Sequence, residues 1–482
     1  MLRAVSGAPA RRWWILVTVS LTQLLVILDG TIVNVALPSA QADLGLSDTA
    51  RQWVVTAYAL AFGALLLLGG RIADFWGRRR TFVLGMILFG AGSAWGGVAQ
   101  SGAELLIARG AQGVAAALMA PAALAIMTVT FPSGRERNTA FAIFGSVAGA
   151  GSAVGLLLGG VLTEYLSWRW CLLVNVPFVI LGVIAALVLL TESRAEGDRR
   201  YDILGTLTVS IGLAALVYGL TLAEESWVSP ATIGLLALGV AMLVLFVVVE
   251  SRSTHPLLPL RVVRHPARAA AFLLQALCGA VMIGAMLYLT FHLQIVLGMS
   301  PVYAGLASLP ITAGIMITVP LATRLLNQIG PRRQLIFGPV TAAVGVAYLS
   351  FITVDGGYWT HVFPGVLVMG IGMGFTFVPL QNLSLLGVAP HDAGAAAAAA
   401  NAANQVGGSI GLAVVTTVYV AVTGAASQPD SARAAVEGYS AVFLLASGFL
   451  VAAAVLAVAL VRKDAMKDAA ENVGQTPVLH IG

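Results

Sequence analysis

An acid inside an apolar run is a group that can take and release a proton where water is scarce. This 482-residue chain carries one at Asp29, within Leu28-Asp29-Gly30-Thr31-Ile32-Val33-Asn34-Val35-Ala36-Leu37-Pro38. A base lies in a second apolar run, Arg109 in Leu106-Ile107-Ala108-Arg109-Gly110-Ala111-Gln112-Gly113. Burial raises a carboxyl pKa and a nearby guanidinium lowers it, so such a pair suits either a static lock between helices or an acid whose protonation changes during a cycle. Ionisable groups at membrane depth cost several kcal/mol on insertion and mark substrate, ion or proton paths.

The elements that must hold these two residues follow from composition. Hydrophobic residues make up 59% of the chain and charged residues only 10%, against about 25% in soluble domains; mean hydropathy is +0.92. The fold class is therefore all-α integral membrane. Runs of roughly 20 apolar residues cross about 30 Å of hydrocarbon. They fall at 13–36, 53–71, 80–99, 103–128, 139–163, 169–191, 203–223, 229–250, 269–293, 302–323, 334–354, 361–386, 394–423 and 438–462, giving fourteen expected spans. The 53 glycines fit helices that associate through close backbone approach. A run continuing to Pro38 with further spans behind it reads as an uncleaved first helix, not a signal peptide.

Basic residues test this layout, because cytoplasmic loops carry the excess of Lys and Arg. Alternate loops hold nearly all of the 26; only Arg51, Arg169 and Arg433 fall on the other side, and Arg109 within a span. Both termini are thus expected in the cytoplasm, in a multi-pass cell-membrane protein, and topology accounts for the net charge of +5 without nucleic acid. Among the acids only Asp29 is firmly intramembrane. It lies about 24 Å from the cytoplasmic end of its span and Arg109 about 10 Å from the outer end of the fourth, which places both in the outer half.

Other chemistries lack their residues. The six histidines (His255, His265, His292, His361, His391, His480) give no ligand-spaced pair, and Cys171 and Cys278 sit singly in apolar runs, so neither a metal nor another cofactor is expected. No phosphate-cradling Walker loop is present, which removes ATP-driven pumping. An enzyme is not expected.

Several ordered stretches resemble the fourteen-helix drug:proton antiporters of the major facilitator superfamily. The run around Asp29, Asn34 and Pro38 is similar to that family's helix 1 motif. Gly70-Arg71-Ile72-Ala73-Asp74-Phe75-Trp76-Gly77-Arg78-Arg79 resembles the superfamily loop motif between helices 2 and 3, and the run around Arg109 the helix 4 motif. Trp168-Arg169-Trp170 through Asn175-Val176-Pro177, and Asp202-Ile203-Leu204-Gly205, resemble the starts of its helices 6 and 7. Gly151, Gly155, Gly159 and Gly160 match its helix 5 packing motif, with Leu156 where proline is usual, and Asn404 stands where arginine is frequent in helix 13.

The resemblance implies export of a small amphipathic compound in exchange for protons, with Asp29 and Arg109 coupling the proton and Gly70, Asp74, Gly77, Arg78 and Arg79 forming a conformational latch. In that scheme Asp74 accepts from a neighbouring helix's N-terminal amides or from an arginine. Polar residues at depth, Gln23, Asn34, Gln112, Gln275, Tyr288, His292, Asn382, Asn401 and Gln405, are candidates for lining a substrate cavity. Export of an endogenous metabolite, or a non-transporting sensor on the same fold, are the alternatives.

Internal similarity supports a repeated architecture. Asn327-Gln328-Ile329-Gly330-Pro331-Arg332-Arg333 aligns with Asp74 to Arg80, and Gly407-Gly408-Ser409-Ile410-Gly411 echoes Gly151 to Gly155. The expected organisation is a segment 1–12, a six-helix bundle over 13–191, two inserted helices with a linker over 192–268, a second bundle over 269–462 and a disordered cytoplasmic tail over 463–482. A monomer in the lipid bilayer, with protons and a small molecule as partners, completes the expectation.

Overall fold

The computed structural model describes residues 9–131, 135–194, 202–223, 226–253, 256–388, 393–426 and 432–461. The expected tail at 463–482 lies outside them. Among the described residues every regular element is helical. These are α1 (Pro9–Leu44), α2 (Asp48–Trp76), α3 (Arg78–Gly97), α4 (Gly102–Thr130), α5 (Arg135–Tyr165), the one-turn α6 (Trp170–Leu173), α7 (Asn175–Leu189), α8 (Ile203–Leu222), α9 (Pro230–Arg252), the one-turn α10 (Leu260–Val263), α11 (Pro266–Phe291), α12 (Pro301–Tyr348), α13 (Phe363–Ser384), α14 (Ala393–Gly424) and α15 (Ala432–Leu460).

Twelve segments are long and apolar enough to span a membrane, against the fourteen expected. The two expected spans outside that set are α3 and α5, both continuous helices. The first begins with three arginines and is rich in glycine; the second starts with Arg-Glu-Arg-Asn. The arginines dilute the apolar content of α3 at its start, whereas the described apolar stretch of α5, Ala150–Tyr165, is shorter than a span. The helix α12 contains two of the twelve spans, divided at Gly330, whose φ of 76° and ψ of 164° break the helix before Pro331. Only glycine takes this backbone without strain.

Helix starts follow local chemistry. Ser47 accepts from the Ala50 amide at 3.1 Å and Ser101 from the Glu104 amide at 3.3 Å, each relieving an orphan donor. The first helix runs past the expected limit at residue 36, through Pro38 to Leu44. The added turns carry Gln41, which accepts from Arg51, and Asp43, which accepts from Arg169 at 2.6 Å and from the Trp168 indole at 3.0 Å.

Packing recurs in a pattern that matches the internal sequence similarity. The pair α1–α5 has its counterpart in α11–α14, and α2–α4 in the packing of α12 on α13. Two further contacts cross between these sets, α2 with α14 and α5 with α12. Small residues permit the approach. A Cβ on Gly159 would lie 3.0 Å from the Ile32 carbonyl oxygen of α1, and one on Gly160 2.6 Å from the Pro301 carbonyl oxygen of α12. Gly155 faces Thr31 and Leu28, and Gly151 faces Leu24 and Ile27, so the whole helix 5 glycine motif packs against neighbouring helices. The helix passes through Leu156 unbroken.

On α14, Gly407 rests on the backbone of Ala276 in α11 with no space for a Cβ, whereas Gly234 on α9 has nothing within 4 Å of that position. Gly407→Ala should destabilise the protein by about 1–3 kcal/mol through overpacking, and Gly234→Ala should be neutral or stabilising by up to about 1 kcal/mol. Melting curves of the purified protein in detergent check the contrast.

Candidate functional site

The expected pair is made. Arg109 Nη1 lies 2.5 Å from Asp29 Oδ2, with side chains 1% and 0% exposed. The other carboxylate oxygen, Oδ1, accepts from Gln112 Nε2 at 2.9 Å and from Asn175 Nδ2 at 3.0 Å. The same two amide nitrogens reach Ser93 Oγ, at 2.7 and 3.3 Å. Arg109 donates further to Gln112 Oε1 at 2.8 Å and, through Nε, to the Val54 carbonyl at 3.1 Å, and its Cζ stands 4.5 Å from the centre of the Tyr58 ring. Five helices thus meet on one buried carboxylate: α1, α2, α3, α4 and α7.

Local sequence explains the placement. Arg109 and Gln112 are three apart on α4 and so share a face. A Cβ on Gly113 of α4 would overlap the Tyr58 carbonyl of α2, and one on Gly92 of α3 would lie 3.0 Å from Gln112 Cγ. Asn175 opens α7, just after the one-turn α6, which aims its amide inward. Gln112, expected to line a cavity, belongs instead to this network and is fully buried. Ser93 and Tyr58 were not anticipated, because neither is charged nor part of a spaced motif.

In the loop motif Asp74 takes the second of its two expected partners, an arginine, while the helix amides go to another carboxylate. Asp74 Oδ1 accepts from Arg78 at 3.0 and 3.3 Å within the motif itself. The N-terminal amides of α3 are taken by Glu192, beyond the end of α7: its oxygens accept from the Arg79 amide at 3.1 Å and the Arg80 amide at 3.2 Å, and Arg80 Nε lies 3.6 Å away. Gly77, at φ 131°, lies against this carboxylate; a Cβ there would be 2.5 Å from Glu192 Oε1. Arg79 Nη2 donates to the Leu187 carbonyl at 2.7 Å. Gly70 makes only ordinary contact, 3.6 Å from Pro121. Arg71, in the same motif, donates to the Pro256 carbonyl at 2.5 Å.

The remaining cavity candidates scatter. Tyr288 is fully buried and donates to Thr416 Oγ1 at 2.8 Å, and His292 packs edge-on to Tyr439, so both belong to an aromatic cluster. Gln275 and Asn34 are buried, Gln23 and Gln405 half-buried. Asn382 and Asn401 are exposed, their amides donating to carbonyls one turn back, Val378 and Ala397.

The end of the molecule opposite Pro9 is closed by contacts between early and late helices. Gln294 Nε2 donates to the Val35 carbonyl at 2.8 Å; Ser300 and the Val302 amide donate to Glu164 at 2.5 and 3.0 Å. Arg51, assigned to a loop by its position before an apolar run, is a buried residue of α2 at this end.

A buried ion pair between apolar helices, glycine-mediated packing and a repeated helix order define a polytopic membrane transporter fold. The chain belongs to the Major Facilitator Superfamily, whose family profile matches residues 19–412. It is 46% identical over 484 aligned residues to the puromycin resistance protein pur8 of Streptomyces alboniger, covering 98% of this chain and 96% of that one. It is 39% identical to the cephamycin export protein CmcT of Amycolatopsis lactamdurans, over 90% of this chain and 89% of that one. In fold it matches the crystal structure of a bacterial homologue of the human lysosomal transporter Spinster, with TM-score 0.68, 18% identity and 95% and 98% coverage.

Removing one partner of a buried pair leaves an uncompensated charge, at a cost of roughly 3–5 kcal/mol. Asp29→Ala should therefore lower the melting temperature sharply, and adding Arg109→Leu should recover part of that loss. Glu192→Ala should cost about 1 kcal/mol through the lost helix cap, and Glu192→Gln should cost less, since its single amide oxygen keeps one of the two amide bonds. Thermal unfolding of the four variants measures all three.

Proposed function

We propose that the protein is a secondary active exporter of small amphipathic organic compounds, exchanging them for protons by alternating access. The observation that carries this is the Asp29 carboxylate, buried and held by Arg109, Gln112 and Asn175 at the junction of five helices. A proton arriving on Asp29 neutralises the charge that Arg109 pairs with and weakens the charge-assisted bonds from all three donors. Proton binding is thereby tied to how α1, α4 and α7 pack, which is the mechanical requirement of coupling. The relatives named for puromycin resistance and cephamycin export support cargo of the antibiotic type.

In this reading fourteen helices cross the bilayer, α3 and α5 joining the twelve apolar spans. α1 to α7 form one six-span bundle, α11 to α15 the other, and α8 with α9 are inserted between them. The recurring helix pairs support that division. Both termini are cytoplasmic, the protein acts as a monomer, and the closed end opposite Pro9 is the outer face. Gln23, Asn34, Gln275, Asn382, Asn401 and Gln405 remain candidates for touching cargo. The latch reading gains a second carboxylate: with the outer end closed, Asp74 is paired with Arg78 and Glu192 caps α3, and outward opening re-partners one of them.

Reconstitution in liposomes with an imposed pH gradient tests the proposal. Wild-type protein should move a cationic or neutral antibiotic against its gradient, and Asp29→Asn should reduce gradient-driven flux at least tenfold while leaving the protein folded. Flux surviving that substitution unchanged removes Asp29 as the proton site; no gradient-driven flux of any cargo favours a non-transporting role. Asp74→Asn should slow turnover severalfold, with normal transport refuting the latch.

A further inference from the structure

At the closed outer end, Arg51 of α2 inserts its guanidinium among rings contributed by other helices. Its Cζ is 3.9 Å from the centre of the Phe291 ring, 5.9 Å from that of Tyr288 and 5.8 Å from that of Tyr419. Tyr439 stacks on Tyr419 at 5.5 Å and an 11° angle, and lies 5.8 Å from Tyr288. Arg51 is 3% exposed, Tyr288 and Phe291 0%, Tyr439 1% and Tyr419 7%. Arg51 also donates through Nη1 to Gln41 Oε1 at 3.3 Å.

The walls of this box come from α11, α14 and α15, which pack on one another. The cation comes from α2. Aromatic faces surrounding a desolvated cation are the chemistry that recognises organic ammonium groups in general. Opening the outer end must separate early from late helices there, because the Gln294–Val35 and Glu164–Ser300 bonds join the same two sets. That movement withdraws Arg51 and leaves three rings, backed by Tyr439, around a space shaped by a guanidinium.

We propose that this aromatic box is an outer binding site for the cationic group of an organic cargo, occupied in the closed state by Arg51 as a tethered internal ligand. The return of Arg51 on closure evicts the cargo's cation at the last step, while the exchanged proton gives the cycle its direction. The proposal rests on the transport reading and names the chemistry of one subsite within it. A box that merely bolts the outer end shut is the competing outcome.

The test is equilibrium binding to purified full-length protein in lipid nanodiscs, without any pH gradient. The probes are tetraphenylphosphonium, a permanent organic cation, and triphenylphosphine oxide, a neutral compound of similar shape. Arg51→Ala should bind the cation about tenfold more tightly than wild type, as removal of an internal competitor requires, with affinity for the neutral probe unchanged. Arg51→Lys should stay near wild type. Phe291→Leu or Tyr419→Leu, added to Arg51→Ala, should abolish the gain. Equal gains for both probes would mean that Arg51 only holds the outer end shut, and a gain that survives both ring substitutions would place the cation elsewhere; either overturns the proposal. Melting curves accompany each variant, and Arg51→Gln, uncharged but still able to donate to Gln41, replaces Arg51→Ala if the latter fails to fold. Because binding is read without a gradient, failure of gradient-driven flux in liposomes refutes the transport reading separately, and unchanged cation binding in Arg51→Ala refutes the box alone.

Discussion

A carboxylate and a guanidinium enclosed by apolar helices must satisfy each other and every remaining lone pair and proton, or the site destabilises the fold by more than it contributes. Here residues from five helices supply the partners, with the Asn175 amide oxygen the atom of the network left buried and unpaired among the described residues. Asp29 receives three donors; Arg109 reaches the carboxylate, an amide oxygen and a main-chain carbonyl, and lies over Tyr58. No two of α1, α2, α3, α4 and α7 can shift against one another without disturbing a bond in this set. The glycines at Gly92 and Gly113 matter for the same reason: they bring α3 and α2 close enough to α4 for short polar side chains to reach.

The two ends of the molecule depend on that centre in different ways. At the end bearing Pro9, Asp74 and Glu192 take different partners: the first binds an arginine a turn away, the second supplies the acceptors that α3 lacks at its start. Helix α7 carries Asn175 at one end and precedes Glu192 at the other. A change at Asp29 that releases Asn175 therefore reaches the α3 cap through a single rigid helix of fifteen residues. At the opposite end closure is made by hydrogen bonds to Glu164 and Val35 and by the burial of Arg51.

Much of this was legible in the sequence because charge in an apolar run has few explanations. Asp29 and Arg109 stood out once the other basic residues had been assigned to loops or span ends, and the glycines of α5 stood out by their fourfold spacing. What stayed hidden had no such contrast. Ser93 is one hydroxyl in a glycine-rich helix, and helical serines ordinarily bond their own backbone. Glu192 is over a hundred residues from the amides it caps, so only the packing of α7 on α3 reveals it. Arg51 flanks an apolar run and so reads as a loop cation, until the aromatic residues of three distant helices are found around it. Helix number is blurred for a related reason: α3 carries three arginines at one end and small residues along its length, so length and apolarity alone do not mark it as a span.

The division of chemistry between the two sets of helices follows from these placements. The early helices hold the buried acid, whose bonding changes with one proton; the late helices hold a cluster of rings, whose attraction for a cation has no proton dependence of its own until tyrosines ionise. Arg51 is the contact between the two, an early-helix cation seated in the late-helix rings. If the proposed exchange is correct, protonation at Asp29 loosens α1 and α4 against α2, and the energy of reseating Arg51 then depends on the state of a carboxylate it never touches. Coupling of that kind requires no wire of charges, only a helix, α2, that contributes Val54 and Tyr58 to one site and Arg51 to the other within three turns.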